Sequence, residues 1–555
     1  MVRYTNKRSI TTLRGTKTTI IKVLTCKNHP DERISIQDAT KAPVMPKCHT
    51  DMDVIILIGI LRWRLKMKRY EIQSFLRARG ISLSTGSISN RSLDCLLLFK
   101  QLHNSKKNEI KALINRKGGM ILHIYGTHRS GGRVVFVLQE GLEDIVINAD
   151  LIPSEAEKHV SPILSKFKEV YGSPLVIVRD MARGLRLSAS NTFSKTPQQI
   201  CQVHFIRNLE KDLVTENHKR LKSFIVKHKL TSRLKAFRKS EMEYDGDLKN
   251  LERCWVHVAV DYLLYPIEKH IKWISRPIPY IVQYYRIKEV FNLVSRLISW
   301  NTSNNVVHKS LTELDECLRS VLEDSQIFYY YSILDKTLEW LDELRDNLRI
   351  SRETNLKDFP SEDIEVEGVL KSIRELLSRI SEEGRELEGQ YIKIASSIND
   401  AFESHWDELF VPNPIVNGKQ VMFRRHNNGL ESSHRRTRKA IRERTGRSET
   451  NREMEQFGDL LAILSNLWNK TYQKEILHDV EYLGNSLSPF INDLPELRKE
   501  YHEARKGSEM PIADEKRMDV LEDFVQVLES SKSPGELVCA LQSILGAEVP
   551  VEAVY

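Results

Sequence analysis

Short apolar runs and one helical stretch between residues 119 and 204 form the most regular pattern in the chain. Three runs are rich in apolar or β-branched side chains and are bounded by glycine or charged residues, namely residues 120–124, 133–138 and 144–147. This pattern is typical of buried strands. Residues 154–170 then place apolar side chains at helical spacing, and residues 175–178 form a fourth apolar run that is followed by Asp180. Three strands, a helix and a fourth strand ending in aspartate is the order of an RNase H-like core, which we predict here.

Residues 52–99 predict three helices ahead of this core. The first two cover residues 52–67 and 70–79, and the second stops at Gly80, a good helix terminator in the short turn before the third helix. Ser84 can cap the third helix. A short turn followed by a helix that opens with small polar residues is the helix-turn-helix pattern. The side chains that we expect to reach base edges or phosphates are Thr85, Ser87, Asn90 and Arg91. A plain three-helix bundle that binds no DNA is the alternative.

The first 50 residues are polar and basic, with one strand-like stretch at residues 18–24. Cys26-x-x-His29 and the adjacent Cys48-His49 lie about 20 residues apart. Zinc requires about four such ligands in tetrahedral reach, and a Cys-x-x-His pair can supply two of them. A structural Zn²⁺ site and ordinary loop residues are both open interpretations.

Residues 198–205 predict a short strand that contains Cys201 and His204, and the chain is helical in character from there to about residue 405. It then becomes basic again. Asn427 or Asn428 can cap a helix, on which Glu431, Arg435, Arg438 and Arg442 follow at spacings of four, three and four. One acid on a face of arginines, with few apolar residues, predicts a functional helix.

The charge distribution indicates a polyanionic partner. Residues 1–120 carry 24 Lys and Arg against 8 Asp and Glu, and residues 424–447 carry 9 against 2. Residues 301–400 carry 12 against 22. A single basic run can be a solvated face, but two separate basic segments favour nucleic acid. The longest apolar run, residues 54–61, is far shorter than the ~20 residues that span a bilayer. We read no signal peptide, and seven scattered cysteines favour a reducing cytosol.

At these motifs the chain resembles the DDE transposases of insertion sequences, and is most similar to the bacterial and archaeal group related to the Mutator-type enzymes. The matching motifs are Gly126-Thr127 after a strand, Asp180 at a strand exit, Cys201-x-x-His204 with Arg-Asn-Leu, and Asn-Asn-x-x-Glu ending at Glu431 with trailing arginines and Thr-Gly-Arg. The resemblance covers about residues 1–480 in the same domain order. It implies binding to double-stranded DNA at transposon ends and targets, as a homo-oligomer in a prokaryotic cytoplasm.

The resemblance also implies a catalytic site. In such enzymes three carboxylates hold two divalent cations, Mg²⁺ or Mn²⁺, for in-line displacement at phosphorus. Asp180 would be the second acid and Glu431 the third, both as metal ligands. The first acid would precede Gly126, and that residue is Tyr125. A phenol has a reference pKa of about 10 and is a poor Mg²⁺ ligand at pH 7. We therefore expect impaired DNA cleavage and strand transfer.

The predicted fold class is α+β and multidomain: an RNase H-like mixed sheet interrupted by a large all-α insertion and preceded by a helix-turn-helix region. The expected domains are residues 1–50, 51–118, 119–206, 207–415 (the insertion), 416–480 and 481–555. Three functions remain open. The chain is an impaired transposase, a transposase-derived DNA-binding or regulatory protein without catalysis, or a helical protein whose basic runs are only solvated surface.

Overall fold

The computed structural model describes residues 2–25, 29, 33–37, 49–128, 133–243, 251–264, 278–299, 305–350, 366–447, 450–478 and 483–503. The chain divides into two compact units. The first consists of residues 1–199 with 414–555, and the second of residues 200–413. No helix among the described residues combines the length and apolar character needed to cross a membrane.

The first unit contains two larger sheets and a hairpin. Their strands are β1 (Val2–Thr12), β2 (Gly15–Thr25), β3 (Arg33–Gln37), β4 (Ile121–His128), β5 (Val134–Glu140), β6 (Val146–Ile152), β7 (Val176–Arg179), β8 (Gln198–Ile200), β9 (Ile415–Val416) and β10 (Lys419–Gln420). β1, β2 and β3 form an antiparallel sheet, where the sequence pattern predicts only one strand. The central sheet has the order β6-β5-β4-β7-β8. Its β4 pairs antiparallel with β5 and parallel with β7, so the sheet is mixed as expected.

The first unit also contains α-helices on both sides of the second unit in the sequence. They are α1 (Met52–Gly59), α2 (Arg69–Arg77), α3 (Thr85–Ser105), α4 (Lys107–Arg116), α5 (Glu157–Tyr171), α6 (Arg183–Thr192) and, after the second unit, α15 (Asn428–Thr445), α16 (Asn451–Phe457), α17 (Leu461–Asn466), α18 (Lys470–Glu475), α19 (Leu483–Leu487) and α20 (Leu494–Glu503). Strands β4, β5 and β6 bury aliphatic side chains in one core with α3, α4, α5 and α17. The helices that follow the second unit in the sequence are therefore part of the same core as the first 199 residues.

The second unit is helical over the residues that the structure describes between its short opening strand segment and residue 413. Its helices are α7 (Gln202–Lys227), α8 (Leu230–Glu243), α9 (Leu251–Leu264), α10 (Pro279–Ser299), α11 (Asn305–Leu322), α12 (Ser325–Asn347), α13 (Val366–Leu387) and α14 (Gln390–Leu409). Its core includes the fully buried side chains of Trp340, Ile333 and Phe402. Asp324 caps α12 by accepting hydrogen bonds from Gln326 N and Ile327 N.

Two predicted elements are wrong in detail. The helix expected over residues 52–67 ends as α1 at Gly59 and continues as a π-turn, Ile60–Arg64, in which Leu65 N donates to Ile60 O at 3.0 Å. The strand expected over residues 198–205 ends at Ile200, so Cys201 lies at the N-cap of α7 and His204 in its first turn. A short apolar run does not by itself distinguish a strand from the start of a buried helix.

Candidate functional site

The two parallel strands β4 and β7 bring Tyr125 and Asp180 together. Their pairing runs from Ile121 opposite Val176 to His123 opposite Val178. Continuing this register by two residues places Tyr125 opposite Asp180, and neighbouring strands lie about 4.8 Å apart. The half-buried Asp180 follows the last residue of β7, and its Oδ1 accepts a hydrogen bond from Ala182 N at 2.9 Å. The two positions that the sequence analysis selected are therefore adjacent.

Helix α15 lies along one face of β4 and contacts every second residue. Asn427, at the N-cap of α15, makes a 2.8 Å hydrogen bond between its Oδ1 and His123 Nδ1. The Tyr125 and His434 rings lie with their centroids 5.8 Å apart. Residues on a strand that are two apart point to the same face, so this face of β4 is covered along its length.

The far end of this contact is made by Arg438, whose Nη2 donates to Thr127 Oγ1 at 3.1 Å. Four residues of strand rise about 13 Å and eleven of helix about 16 Å, so the helix and the strand run side by side in the same direction. Glu431 stands four positions after Asn427 and three before His434. The side chain of Glu431 itself lies outside the described residues.

Two buried imidazoles occupy the interface between β4 and α15. Burial lowers the pKa of His123 to about 4, with a smaller lowering effect from Arg424, against the opposing hydrogen bond with Asn427. Burial, and then Arg438, lower the pKa of His434 to about 4. Both rings are therefore neutral at pH 7. The Nε2 atoms of both rings are buried with no hydrogen-bond partner in the described part of the chain.

A carboxylate that sequence reasoning missed lies beside the Gly126-Thr127 motif. A Cβ on Gly126 would stand 1.9 Å from Glu155 Oε1, and a Cβ on Gly184 would stand 1.9 Å from the Glu155 carbonyl oxygen. Gly184 therefore requires glycine, because the Glu155 backbone occupies the space of a Cβ there, whereas a Cβ at Gly126 would displace the Glu155 carboxylate. The sequence signal was weak, because Glu155 is the second residue of the predicted helix over residues 154–170 and belongs to no motif.

The position expected to hold the first acid does not fit a divalent metal. The β4 face presents an imidazole, a phenol and a hydroxyl, and the facing helix adds a neutral imidazole and the guanidinium of Arg438. Mg²⁺ prefers carboxylate and other hard oxygen ligands. Among the residues that the structure describes, no group of three His, Cys, Asp or Glu side chains is placed to hold a metal ion. The carboxylates identified near this position are Asp180, opposite Tyr125 in the continued register, and Glu155, beside Gly126.

The arginines around α15 separate into anchors and exposed cations. Arg424 pairs with Asp144 at 2.8 Å, and Arg425 donates to Gln199 Oε1 at 2.7 Å. Arg444 lies over the Trp63 ring at 4.6 Å, and burial, followed by Arg62, lowers the pKa of Arg444 to about 9. The exposed cations of the helix are Arg435, Arg436, Lys439 and Arg442. The expected single face thus divides, with Arg438 turned to β4 and the others towards solvent.

The predicted DNA-reading residues also divide. Ser84 caps α3 by accepting a hydrogen bond from Ser87 N at 3.0 Å. Thr85 and Asn90 are exposed and Ser87 is half-buried. Arg91 pairs with the buried Asp94 at 3.1 Å.

The remaining candidates are partly described. Cys201 is buried at the N-cap of α7, in the second unit, where His204 is half-buried. Of the zinc candidates, Cys26 and Cys48 lie outside the described residues, while His29 and His49 are described and exposed. His49 Nδ1 makes a 3.1 Å hydrogen bond with Ser9 O. The geometry of a zinc site is therefore not defined at these positions.

Comparison of the chain with protein-family models, and with curated protein sequences, returns no match.

Proposed function

We propose that this chain is a DNA-binding protein related to the DDE transposases, in which metal-dependent cleavage and strand transfer are impaired. The observation that carries the proposal is the parallel register of β4 and β7, which puts Tyr125 opposite Asp180 when it is continued two residues beyond His123 and Val178. An RNase H-like active site needs carboxylates on these two adjacent strands, and one strand here carries a phenol.

The order of the central sheet supports the RNase H-like interpretation. Taken in chain order, its five strands lie as third, second, first, fourth and fifth, with the first parallel to the fourth and antiparallel to the second. This is the arrangement of an RNase H-like sheet. Helix α15 then brings the position of Glu431 along the face of the first strand, where the third acid of the resemblance belongs.

Exposed polar and basic side chains support DNA as the partner. Asn90 and Thr85 are exposed on a capped helix in the second half of a helix-turn-helix pattern, and Arg435 and Arg442 are exposed on α15. Lysine and arginine contacts to phosphates make affinity strongly salt-dependent. The helix-turn-helix interpretation predicts that α3 supplies base contacts and that the basic helix supplies phosphate contacts.

The test compares wild type with Tyr125→Asp. Both proteins are expected to bind duplex DNA with a steep salt dependence in a gel-shift assay. With Mg²⁺ or Mn²⁺, only the Tyr125→Asp protein is expected to nick or join DNA that carries transposon ends. A double variant, Tyr125→Asp with Asp180→Asn, is the matched control and should be inactive. Equal cleavage by wild type and Tyr125→Asp would refute the impairment, and no DNA binding by wild type would refute the whole proposal.

A transposase-derived regulator without any catalysis is the second candidate function. Two contacts favour this second candidate: His434 packs on Tyr125, and Arg438 donates a hydrogen bond to Thr127. They fill the β4 face with groups that do not bind Mg²⁺. In that case Tyr125→Asp alone restores no cleavage while DNA binding is retained.

A further inference from the structure

A strongly basic surface on the second unit is not used by the function proposed above. Residues 219–239 contain nine Lys and Arg and no Asp or Glu. All nine are exposed: Lys219, Arg220, Lys222, Lys227, Lys229, Arg233, Lys235, Arg238 and Lys239. They lie on the last turns of α7, the turn after it and the first turns of α8, and we call them the α7–α8 basic surface.

The packing of α7 and α8 directs these cations towards solvent. On its other side α7 buries Leu221 and Ile225, and α8 buries Leu230 and Leu234. Lys229 has a positive φ of 50° in the tight turn between the two helices. The cations thus lie on two packed helices. A ligand that binds them does not have to order a flexible backbone, which lowers the entropic cost of binding.

Intramolecular acids neutralise only part of the surface. Lys219 and Arg220 both pair with Glu216 at 3.4 Å, and Arg238 pairs with Asp261 at 3.1 Å. Within the described part of the chain, four lysines have no acid within ion-pair distance: Lys222, Lys227, Lys229 and Lys235. Asp324 also lies at the turn, where it contacts His228 Nε2 at 2.7 Å. Nine cations against Glu216, Asp261 and Asp324 leave a net positive charge.

Aromatic rings hold two of these lysines in place. Lys222 Nζ lies 5.8 Å from the centroid of the Tyr280 ring, and Lys227 Nζ lies 4.5 Å from that of Phe224. Such contacts orient an ammonium group without neutralising its charge.

Charge is also segregated within the second unit. Residues 301–400, which include α11 to α14, carry 22 acidic against 12 basic residues, whereas the α7–α8 basic surface is wholly cationic. A surface that serves only solubility mixes both signs. This unequal distribution along the chain favours a polyanion at the α7–α8 basic surface.

We propose that the α7–α8 basic surface binds the phosphodiester backbone of DNA, without reading its sequence. The inference rests on the proposed DNA-binding function and assigns a second DNA contact to the insertion. From Lys219 to Lys227 the helix rises about 12 Å, a length over which duplex DNA carries about seven phosphate charges. Lysine is a flexible point charge that suits phosphate oxygens and gives little base discrimination.

The test is a salt titration with the full-length protein and a random-sequence 30-base-pair duplex. The variant combines Lys222→Gln, Lys227→Gln, Lys229→Gln and Lys235→Gln. The matched control removes the same four charges from exposed lysines elsewhere in the second unit, by Lys288→Gln, Lys309→Gln, Lys371→Gln and Lys393→Gln. Because each phosphate contact contributes about 0.9 to the slope of log affinity against log salt, the variant slope should fall by up to about 3.6. The control should keep the wild-type slope.

Far-UV circular dichroism and thermal unfolding should be the same for the three proteins, because all eight lysines are exposed. Equal slopes for the variant and wild type, with DNA binding intact, would overturn this inference and leave the proposed function standing. No DNA binding by wild type would overturn both. Binding to phosphatidylserine vesicles that the variant loses, with an unchanged DNA slope, would also overturn it in favour of a membrane partner.

Discussion

At the scale of single residues, the face of β4 is defined by groups that remain neutral at pH 7. His434 packs on Tyr125 in a buried interface, and its pKa of about 4 reflects the cost of charging an imidazole there beside Arg438. In the unfolded chain the same imidazole titrates near 6.5. Between these two values the unfolded state binds a proton that the folded state does not bind.

This difference predicts an acid-sensitive fold. As the pH falls from 6.5 to 4, His434 should cost about 3 kcal/mol of folding free energy, because 2.5 pKa units correspond to about that amount. We expect the free energy of unfolding of wild type to fall by about 3 kcal/mol more than that of His434→Gln between pH 7 and pH 4, as measured by urea denaturation.

The exposed His502 supplies the matched control, His502→Gln. Glu140 acts in the opposite direction, since burial raises the pKa of its carboxyl to about 7. It is present in all three proteins and cancels in the comparison. If the free energy of unfolding has the same pH dependence in wild type and His434→Gln, the His434 ring is not the cause of the acid sensitivity.

The sequence selected Asp180 from the apolar run that precedes it, and the resemblance selected Tyr125 as the residue before Gly126-Thr127. It did not find the partners of β4. Asn427 and His123 are 304 residues apart, and no local periodicity encodes a hydrogen bond between them. Glu155 was missed for a similar reason, because its place beside Gly126 depends on how β6 leads into α5.

At the scale of elements, α3 combines two roles along one helix. Its exposed start, with Thr85 and Asn90, is separated by one turn from a buried ion pair. Asp94 is 1% exposed and is held by Arg91 at 3.1 Å and by Arg498 at 2.6 Å. Arg91 thus contributes to the fold through this ion pair, and its DNA contact stays a prediction.

This division predicts that substitutions at the adjacent residues Asn90 and Arg91 have different effects, one on DNA affinity and the other on stability. Asn90→Ala should leave stability unchanged and weaken affinity for specific DNA about tenfold, because a base contact contributes about 1–3 kcal/mol. Arg91→Ala should lower the free energy of unfolding by about 1–3 kcal/mol, since it removes one of the two cations that are paired with the buried Asp94 carboxylate. Gel-shift titration and chemical denaturation on both variants separate the two effects. A loss of affinity in Arg91→Ala at full stability would return Arg91 to the DNA-binding set.

Element positions were predicted well where apolar spacing is strong. The four strands of the core and the helix α5 lie within a few residues of the expected ranges, because buried strands and amphipathic helices have distinct periods. The first helix was predicted too long. Its apolar spacing continues past Gly59, but a Cβ at this position would stand 2.2 Å from Cys95 Sγ, so α1 packs very closely on α3 just before the π-turn begins.

At the scale of the whole molecule, each compact unit has its own buried side chains. Leu122 lies in the first unit and Leu334 in the second, and both are fully buried. A buried leucine truncated to alanine costs about 2–5 kcal/mol. We expect calorimetry to resolve two unfolding transitions, with Leu122→Ala lowering one midpoint and Leu334→Ala the other. A single transition that both substitutions shift equally would mean that the units unfold as one.

The hydrogen bonds of Asn427 have a consequence for the making of the protein. β4 leaves the ribosome about 300 residues before the helix that covers it, and at 5–20 residues per second this interval is about 15–60 seconds. Throughout that time the second unit is synthesised while the face that carries His123 and Tyr125 lacks its cover. The first unit therefore completes its core only after the whole second unit has been synthesised.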